Sequence, residues 1–315
     1  MKRTYVFPGQ GSQFVGMGKV LAETFPEACQ TFEAVDDALA RKLSALIFEG
    51  PEADLNMTEN TQPALMAVSM AVVNVLKGQG VDLAKTGVYV AGHSLGEYSA
   101  LTAAGTLRIE DTAKLLKLRG ESMQKAVPVG IGAMAAILGL TMPEVQAIAL
   151  EAAGAEVCAA ANDNSDGQVV VSGHKQAVVR AVALATSRGA KRAVMLPVSA
   201  PFHCALMAPA AEAMKEALAQ TVFAPPSLPV VANVTAQAES DPDRLRTLLV
   251  EQITGTVRWR ESVLWMAAQG VTEIVELGAG KVLSGLVRRI DKNIVCRNVE
   301  TPQDIDVLLE QIKTS

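Results

Sequence analysis

Residues 88–101, VYVAGHSLGEYSAL, constrain the fold of this chain more than any other stretch. An apolar run reads as a strand, Gly92-His93-Ser94-Leu95-Gly96 follows, and a helix-forming run comes directly after. G-x-S-x-G between a strand and a helix is the pattern of a nucleophile elbow. The turn is so tight that the residues two away from the serine on either side must be small. Ser94 is thereby lifted clear of the sheet edge, above the free N–H groups of a helix N-terminus that favour a developing anion. The bland alternative is an ordinary strand–helix turn with incidental glycines, and the correct flanks weigh against it.

The rest of the chain alternates in the same way, which indicates an α/β protein. Residues 4–7 read as a strand. Residues 63–76 read as a helix, with Pro63 in its first turn and Leu65, Val68, Val72 and Val75 recurring at spacings of three and four. Strand 87–92 and helices 97–105 and 110–126 follow. The middle reads differently: strand 132–140, helix 142–154, strand 156–162, strand 168–173, helix 175–189 and strand 190–198. That βαββαβ order is a split unit able to form a compact antiparallel sheet by itself. The expected organisation is a large parallel-sheet domain from 1–126 and 198–315, interrupted by a small domain at 127–197. Residues 221–236 read as a proline-bounded loop leading into a strand, and 271–280 as the last clear strand.

Composition excludes several function classes. Half of the 315 residues are hydrophobic and 19% are charged, so a sizeable core is available and disorder is not expected. A net charge of −5 gives no footprint for nucleic acid. Cys29, Cys158, Cys204 and Cys296 are scattered without a C-x-x-C pair, so neither a metal cage nor a disulfide framework is expected and a reducing compartment fits. The N-terminus lacks the apolar run of a signal peptide, and the most apolar stretch, 129–140, is too short and glycine-rich to span a bilayer. A cytoplasmic protein without metal or cofactor is expected.

The glycine-rich start, YVFPGQGSQFVGMG at 5–18, resembles a phosphate-binding loop only superficially. Gly9 and Gly11 suit a dinucleotide fingerprint, but Phe14 stands at the third glycine position, and no Gly-Lys-Ser/Thr follows.

A serine nucleophile needs a general base, most often histidine, and the chain has three. His93 adjoins the serine, but side chains that neighbour each other on a strand end point opposite ways, so a bracing role is expected. His174 reads as an exposed turn residue near a helix start. His203 lies where the chain re-enters the large domain and is the base by elimination. Arg119 falls on the apolar stripe of helix 110–126 that carries Ala113, Leu116 and Met123. No carboxylate stands three or four positions away. A buried guanidinium needs a partner. Either a distant Asp or Glu supplies it, or a ligand carboxylate held bidentately does.

These residues, with FPGQGSQ near the start, TENTQPAL (58–65), GHSLGEYSAL (92–101), KLRGESMQ (117–124), QVVVSG (168–173), SAPFH (199–203), NVTA (233–236) and GAGKVLSGL (278–286), resemble the malonyl-CoA:acyl carrier protein transacylase family of bacterial fatty acid synthesis over nearly the whole chain. The resemblance implies an α/β-hydrolase-like core with a ferredoxin-like insert. It implies Ser94 as nucleophile, His203 as base, and Arg119 as the residue that binds the free malonyl carboxylate. The backbone N–H groups of Gln10 and Leu95 are the implied oxyanion hole, and the Gln252 carbonyl the group that orients His203. Gln62 and Asn162 are implied pocket residues. Phe202 matches a malonyl-type pattern among related polyketide acyltransferases, with simple core packing as the alternative.

The implied substrates and partners are malonyl-CoA and acyl carrier protein, with no nucleic acid or membrane, and a monomer is expected. A basic docking patch for an acidic carrier would draw on Arg188, Lys191, Arg192, Lys281, Arg288 and Arg289. Two departures stand out: Gly255-Thr256 where the family often has proline, and Ala279 in GAGKVL. They put the loop shape near Gln252 in doubt. Rival readings are a serine esterase or thioesterase, a non-catalytic binding module, a trans-acting polyketide acyltransferase and a malonate decarboxylase subunit.

Overall fold

The computed structural model describes residues 1–198 and 200–314; Ser199, the first residue of the SAPFH segment, lies outside them. Its strands are β1 (Arg3–Phe7), β2 (Tyr89–Gly92), β3 (Gly132–Leu138), β4 (Cys158–Ser165), β5 (Gln168–His174), β6 (Arg192–Met195), β7 (Val230–Val231), β8 (Ala238–Glu239), β9 (Glu273–Leu277) and β10 (Val295–Val299). They form two sheets. The larger runs β10-β9-β1-β2-β7-β8, parallel as far as β7, with β8 antiparallel at its edge.

Successive side chains on β1 face opposite ways. Tyr5 and Phe7 enter one apolar core and Val6 another. Both faces of the sheet are therefore covered, which is why β1 is buried along its whole length. Phe7 stands opposite Gly92, so β1 and β2 end at the same level. Ala91 stands opposite Val231, which brings the end of β7 there too. Loops leaving these three strands emerge side by side at one edge of the sheet, the usual place for a site in a parallel α/β sheet.

The smaller sheet is antiparallel, in the order β4-β5-β3-β6. Helices Met142–Ala153 and Lys175–Ser187 share its own apolar core, built on Ile137, Val145, Ile148, Val171 and Val178. The sheets meet through the segment after Gln252. Val257 bridges Asn162 in parallel, and the Thr256 hydroxyl donates to the Ala160 carbonyl at 2.7 Å. The Gly255-Thr256 departure thus forms a clip onto β4.

The structure corrects four readings. The helix holding Pro63 begins at Thr58, so Pro63 is its sixth residue and not part of its opening. One strand expected at 156–162 runs from Cys158 to Ser165, with register shifts that carry it past two bulges. β10 lies beyond the strand taken as last; Arg297 and Asn298 interrupt its apolar pattern, as an edge strand tolerates. His174 is not a free turn residue. It closes β5, and its Nδ1 accepts the Val157 N–H at 2.9 Å.

Candidate active site

The elbow forms as its glycines require. A Cβ on Gly92 would lie 1.9 Å from the Gly96 carbonyl oxygen, and one on Gly96 would lie 2.2 Å from that of Phe7. Ser94 sits between them at φ 54°, a left-handed conformation that costs a non-glycine residue on the order of 1–3 kcal/mol. The strain is held by Asn233, just past β7. Its Oδ1 accepts the Ser94 N–H at 2.7 Å, and its Nδ2 donates to the Gly92 carbonyl at 2.7 Å. Helix Leu95–Ala103 starts on the next residue, so the Leu95 N–H belongs to the free first turn. The loop after β1 lies against the elbow: a Cβ on Gly9 would come within 2.7 Å of the His93 carbonyl oxygen. Gln10 is thereby carried to the same cavity as Ser94 and Leu95.

His203 also has a positive φ, 58°, and is buried. Its Nε2 lies 2.8 Å from Ser94 Oγ. Its Nδ1 lies 2.8 Å from the Gln252 carbonyl oxygen, which can only accept. The proton therefore sits on Nδ1 and the Nε2 lone pair faces the serine. Burial, then the Arg119 guanidinium, hold the imidazole down to about 3. It stays neutral across the physiological range.

Arg119 is 1% exposed. It reaches the site because its helix, Ile109–Lys125, crosses helix Thr58–Gly78 backbone to backbone. A Cβ on Gly120 would stand 2.5 Å from the Glu59 Cα. Its Nη1 donates to Gln62 Oε1 at 2.7 Å, and its Nη2 to Gln252 Oε1 at 2.8 Å and Ser94 Oγ at 3.0 Å. All three acceptors are neutral. The guanidinium also stands 5.6 Å from the centre of the Tyr98 ring. No distant carboxylate within the described residues forms an ion pair with it, so the first of the two partners open to Arg119 is not the one it has. Starting the helix at Thr58 puts Gln62 one turn on, where its Nε2 donates to Thr58 Oγ1 at 3.2 Å; Thr58 in turn donates to Gln10 Oε1 at 2.8 Å.

These groups open on a cavity of about 190 Å³. Gln10, Gln62, Ser94, Leu95, Arg119, Asn162, Phe202 and His203 all line it, and Gln252 stands behind it. Asn162 and Asn164, two apart on β4, present the same face; Asn164 Oδ1 accepts from His93 Nε2 at 2.8 Å, and the His93 ring packs near Trp259. His93 thus braces β4 against the elbow, yet it lines the same cavity as Ser94, where the alternation of neighbouring side chains predicts that it points away. Phe202 both lines the cavity and packs on Met134 and Val170 of the small sheet. Among the described residues, no group of three or more His, Cys, Asp or Glu could hold a metal ion.

An oxygen nucleophile with a neutral imidazole aimed at it and a buried cation 3.0 Å away can serve acyl transfer from an anionic acyl group. The comparisons with known proteins agree. Residues 4–299 match the model of the acyl transferase domain. The chain belongs to the acyl transferase family. The malonyl CoA-acyl carrier protein transacylase of Escherichia coli (strain K12) is 46% identical over 306 residues, covering 97% of this chain and 98% of that protein. The crystal structure of an acyl-carrier-protein-S-malonyltransferase from Bartonella henselae superposes with a TM-score of 0.98 at 54% identity, over 99% of this chain and 100% of that one. A malonyl-transacylase solved in complex with its type II PKS acyl-carrier protein matches with a TM-score of 0.95 at 42% identity, over 99% and 100%.

Three features of this acyl transferase site go beyond the sequence reading. Gln252 takes part through its side chain as well as its carbonyl. Asn233 stood in the NVTA marker without a role. Glu97 is fully buried, and its Oε2 accepts from Gln252 Nε2 at 2.8 Å and from the Asn233 N–H at 3.0 Å. Burial pushes the Glu97 carboxyl up to about 7. An acidic residue in a first helical turn reads as a dipole complement on the surface, so nothing in the sequence announced its burial.

Proposed function

We propose that this acyl transferase moves the malonyl group from malonyl-CoA to the phosphopantetheine thiol of acyl carrier protein, in fatty acid biosynthesis, through a malonyl ester on Ser94. The observation that carries the reading is the position of Ser94 Oγ, 2.8 Å from His203 Nε2 and 3.0 Å from Arg119 Nη2. In a malonyl thioester, one methylene separates the free carboxylate from the thioester carbonyl. A carboxylate paired with Arg119 therefore brings that carbonyl within reach of Ser94.

In the first step the Ser94 hydroxyl proton passes to His203 Nε2 as Oγ bonds to the carbonyl carbon. The N–H groups of Gln10 and Leu95 meet the oxyanion, an effect worth about 3 kcal/mol per donor. The C–S bond then breaks, His203 returns the proton to the CoA sulfur, and the malonyl-serine ester remains. The carrier thiol takes the malonyl group by the same steps in reverse. Gln252 orients the imidazole through its carbonyl. Gln62 and Asn162 line the acyl pocket, and Phe202 sets its size.

The strand order β4-β5-β3-β6 with two helices on one face supports assigning 127–197 as a ferredoxin-like insert. The parallel sheet of the flanking segments, 1–126 and 198–315, supports an α/β-hydrolase-like core. Four free cysteines, and the absence of any helix among the described residues long and apolar enough to cross a membrane, support a cytoplasmic setting. The carbonyl behind His203, where a hydrolase would normally present a carboxylate, speaks against a thioesterase. Supply of malonyl units to a polyketide carrier protein is the second reading, favoured by the relative solved with such a carrier.

The test is transfer from radiolabelled malonyl-, methylmalonyl- and acetyl-CoA to carrier proteins of both pathways. Malonyl transfer to the fatty acid carrier is expected, with Ser94→Ala losing the labelled acyl-enzyme. Labelling that survives Ser94→Ala, or equal use of acetyl-CoA, would overturn the reading.

A further inference from the structure

Glu97 does not line the cavity, yet everything that does the chemistry leads back to it. One of its oxygens, Oε2, holds two residues at once. Gln252, held by its Nε2, accepts from His203 Nδ1 with its carbonyl and from Arg119 Nη2 with its Oε1. Asn233, held by its main-chain N–H, fastens both sides of the elbow through Ser94 and Gly92. We propose that Glu97 is a positioning residue for malonyl transfer: its Oε2, acting through Gln252 and Asn233, keeps the base, the carboxylate-binding arginine and the nucleophile in one register.

Donor and acceptor logic supports this. An amide such as Gln252 can sit either way round in a pocket. Arg119 only donates, so it requires the amide oxygen; Glu97 Oε2 accepts, so it requires the amide nitrogen. Together they admit one orientation. With the acceptor at residue 97 withdrawn, Gln252 Nε2 keeps, within the described residues, only the Ser94 carbonyl oxygen at 3.0 Å and a long contact of 3.5 Å to Asn233, while Arg119 still holds the Oε1 end. Glu97 Oε1 has no hydrogen-bond partner within the described residues, so the carboxylate is not there for saturation of its own bonding. A purely structural role would be better met by a side chain with no unpartnered oxygen.

The inference rests on the proposed malonyl transfer, and the test separates the two. Wild-type enzyme, Glu97→Ala, Glu97→Gln, Gln252→Ala and the Glu97→Ala/Gln252→Ala double variant are assayed with malonyl- and acetyl-CoA. If the wild type does not transfer malonyl, the activity reading fails. If it does, Glu97→Ala should lower kcat by roughly 10- to 100-fold, as for loss of two hydrogen bonds to an uncharged acceptor, and lower the malonyl/acetyl ratio. Glu97→Gln, which keeps an acceptor at that position, should restore kcat to within about threefold, and the double variant should fall well short of the product of the single losses. If Glu97→Ala does not fold, Glu97→Asp, which withdraws the acceptor by one methylene, replaces it with the same expectation. Wild-type kcat in the folded variant, no rescue by Gln, or full additivity with Gln252→Ala would overturn the proposal.

Discussion

Replacing Arg119 with alanine tests the site where its physics is most exposed. In the proposed reaction the guanidinium would meet a malonyl carboxylate through a bidentate pair of charge-assisted hydrogen bonds, and Nε, which has no partner within the described residues, is free to supply one of them. Each such bond contributes about 1.5–3 kcal/mol. Their loss removes about 3–6 kcal/mol, or roughly 10²- to 10⁴-fold, from kcat/KM for malonyl-CoA. An acetyl group has no carboxylate and loses none of this, so the malonyl/acetyl ratio falls by the same factor. The loss should also divide between KM and kcat. Arg119 is one of the charges that hold His203 down, so a carboxylate paired with it cancels part of that effect and makes the base stronger as malonyl arrives. In the variant the imidazole is relieved at all times, and acetyl transfer should hold or rise. Alanine leaves Gln62 Oε1 and Gln252 Oε1 without their donor but removes a buried charge, so near-UV circular dichroism checks that the fold persists. The assay is steady-state transfer to carrier protein with malonyl- and acetyl-CoA in competition. A folded variant whose malonyl/acetyl ratio stays within about threefold of wild type refutes the assignment.

Gly92→Ala should be far more damaging than its one methyl suggests. The added Cβ meets a backbone oxygen at 1.9 Å, which cannot rotate away, so a loss of at least about 3 kcal/mol is expected. Thermal unfolding reads it, and a Tm within about 2 °C of wild type would show that the elbow is looser than described. Two buried groups should give the pH dependence of stability opposite slopes. Between pH 6.5 and about 3 the unfolded chain binds a proton that native His203 refuses, so this contribution is lost as pH falls; His203→Gln should flatten that arm. Between pH 4.5 and about 7 native Glu97 keeps a proton that the unfolded chain releases, so stability declines as pH rises; Glu97→Gln should remove that decline. Urea midpoints across pH 3–8 measure both, and unchanged slopes in the two variants would contradict the assigned environments.

What could be read from the sequence follows from which signals are local. The elbow is legible because its geometry forces residue identity at fixed offsets: a Cβ on Gly92 or Gly96 would stand 1.9 or 2.2 Å from a backbone oxygen, so only glycine fits. The order of strands and helices was legible because each spans one period-matched run. The start of helix Thr58–Gly78 is not legible because proline is a common opening residue, and nothing local to Pro63 distinguishes a first turn from a second. β10 leaves no clear signal because an edge strand need not be apolar. Asn233 and Glu97 lie 136 positions apart and meet only because β2 and β7 end together, a fact of sheet order that no window of sequence contains.

Arg119 shows why a site of this kind resists reading one residue at a time. A buried cation ordinarily takes a carboxylate, and a carboxylate in contact would fill the place a substrate must occupy. The fold gives it neutral oxygens from Gln62, Gln252 and Ser94, and sets the Glu97 carboxyl one residue away behind Gln252. The guanidinium is thus oriented at several points while its charge is compensated only at a distance. In the proposed reaction an acyl group that carries its own carboxylate would complete the pair, and one that lacks it would leave the buried cation without a counter-charge. Selectivity on this account is the same free energy that would otherwise have stabilised the fold, withheld until the correct acyl group supplies the missing charge.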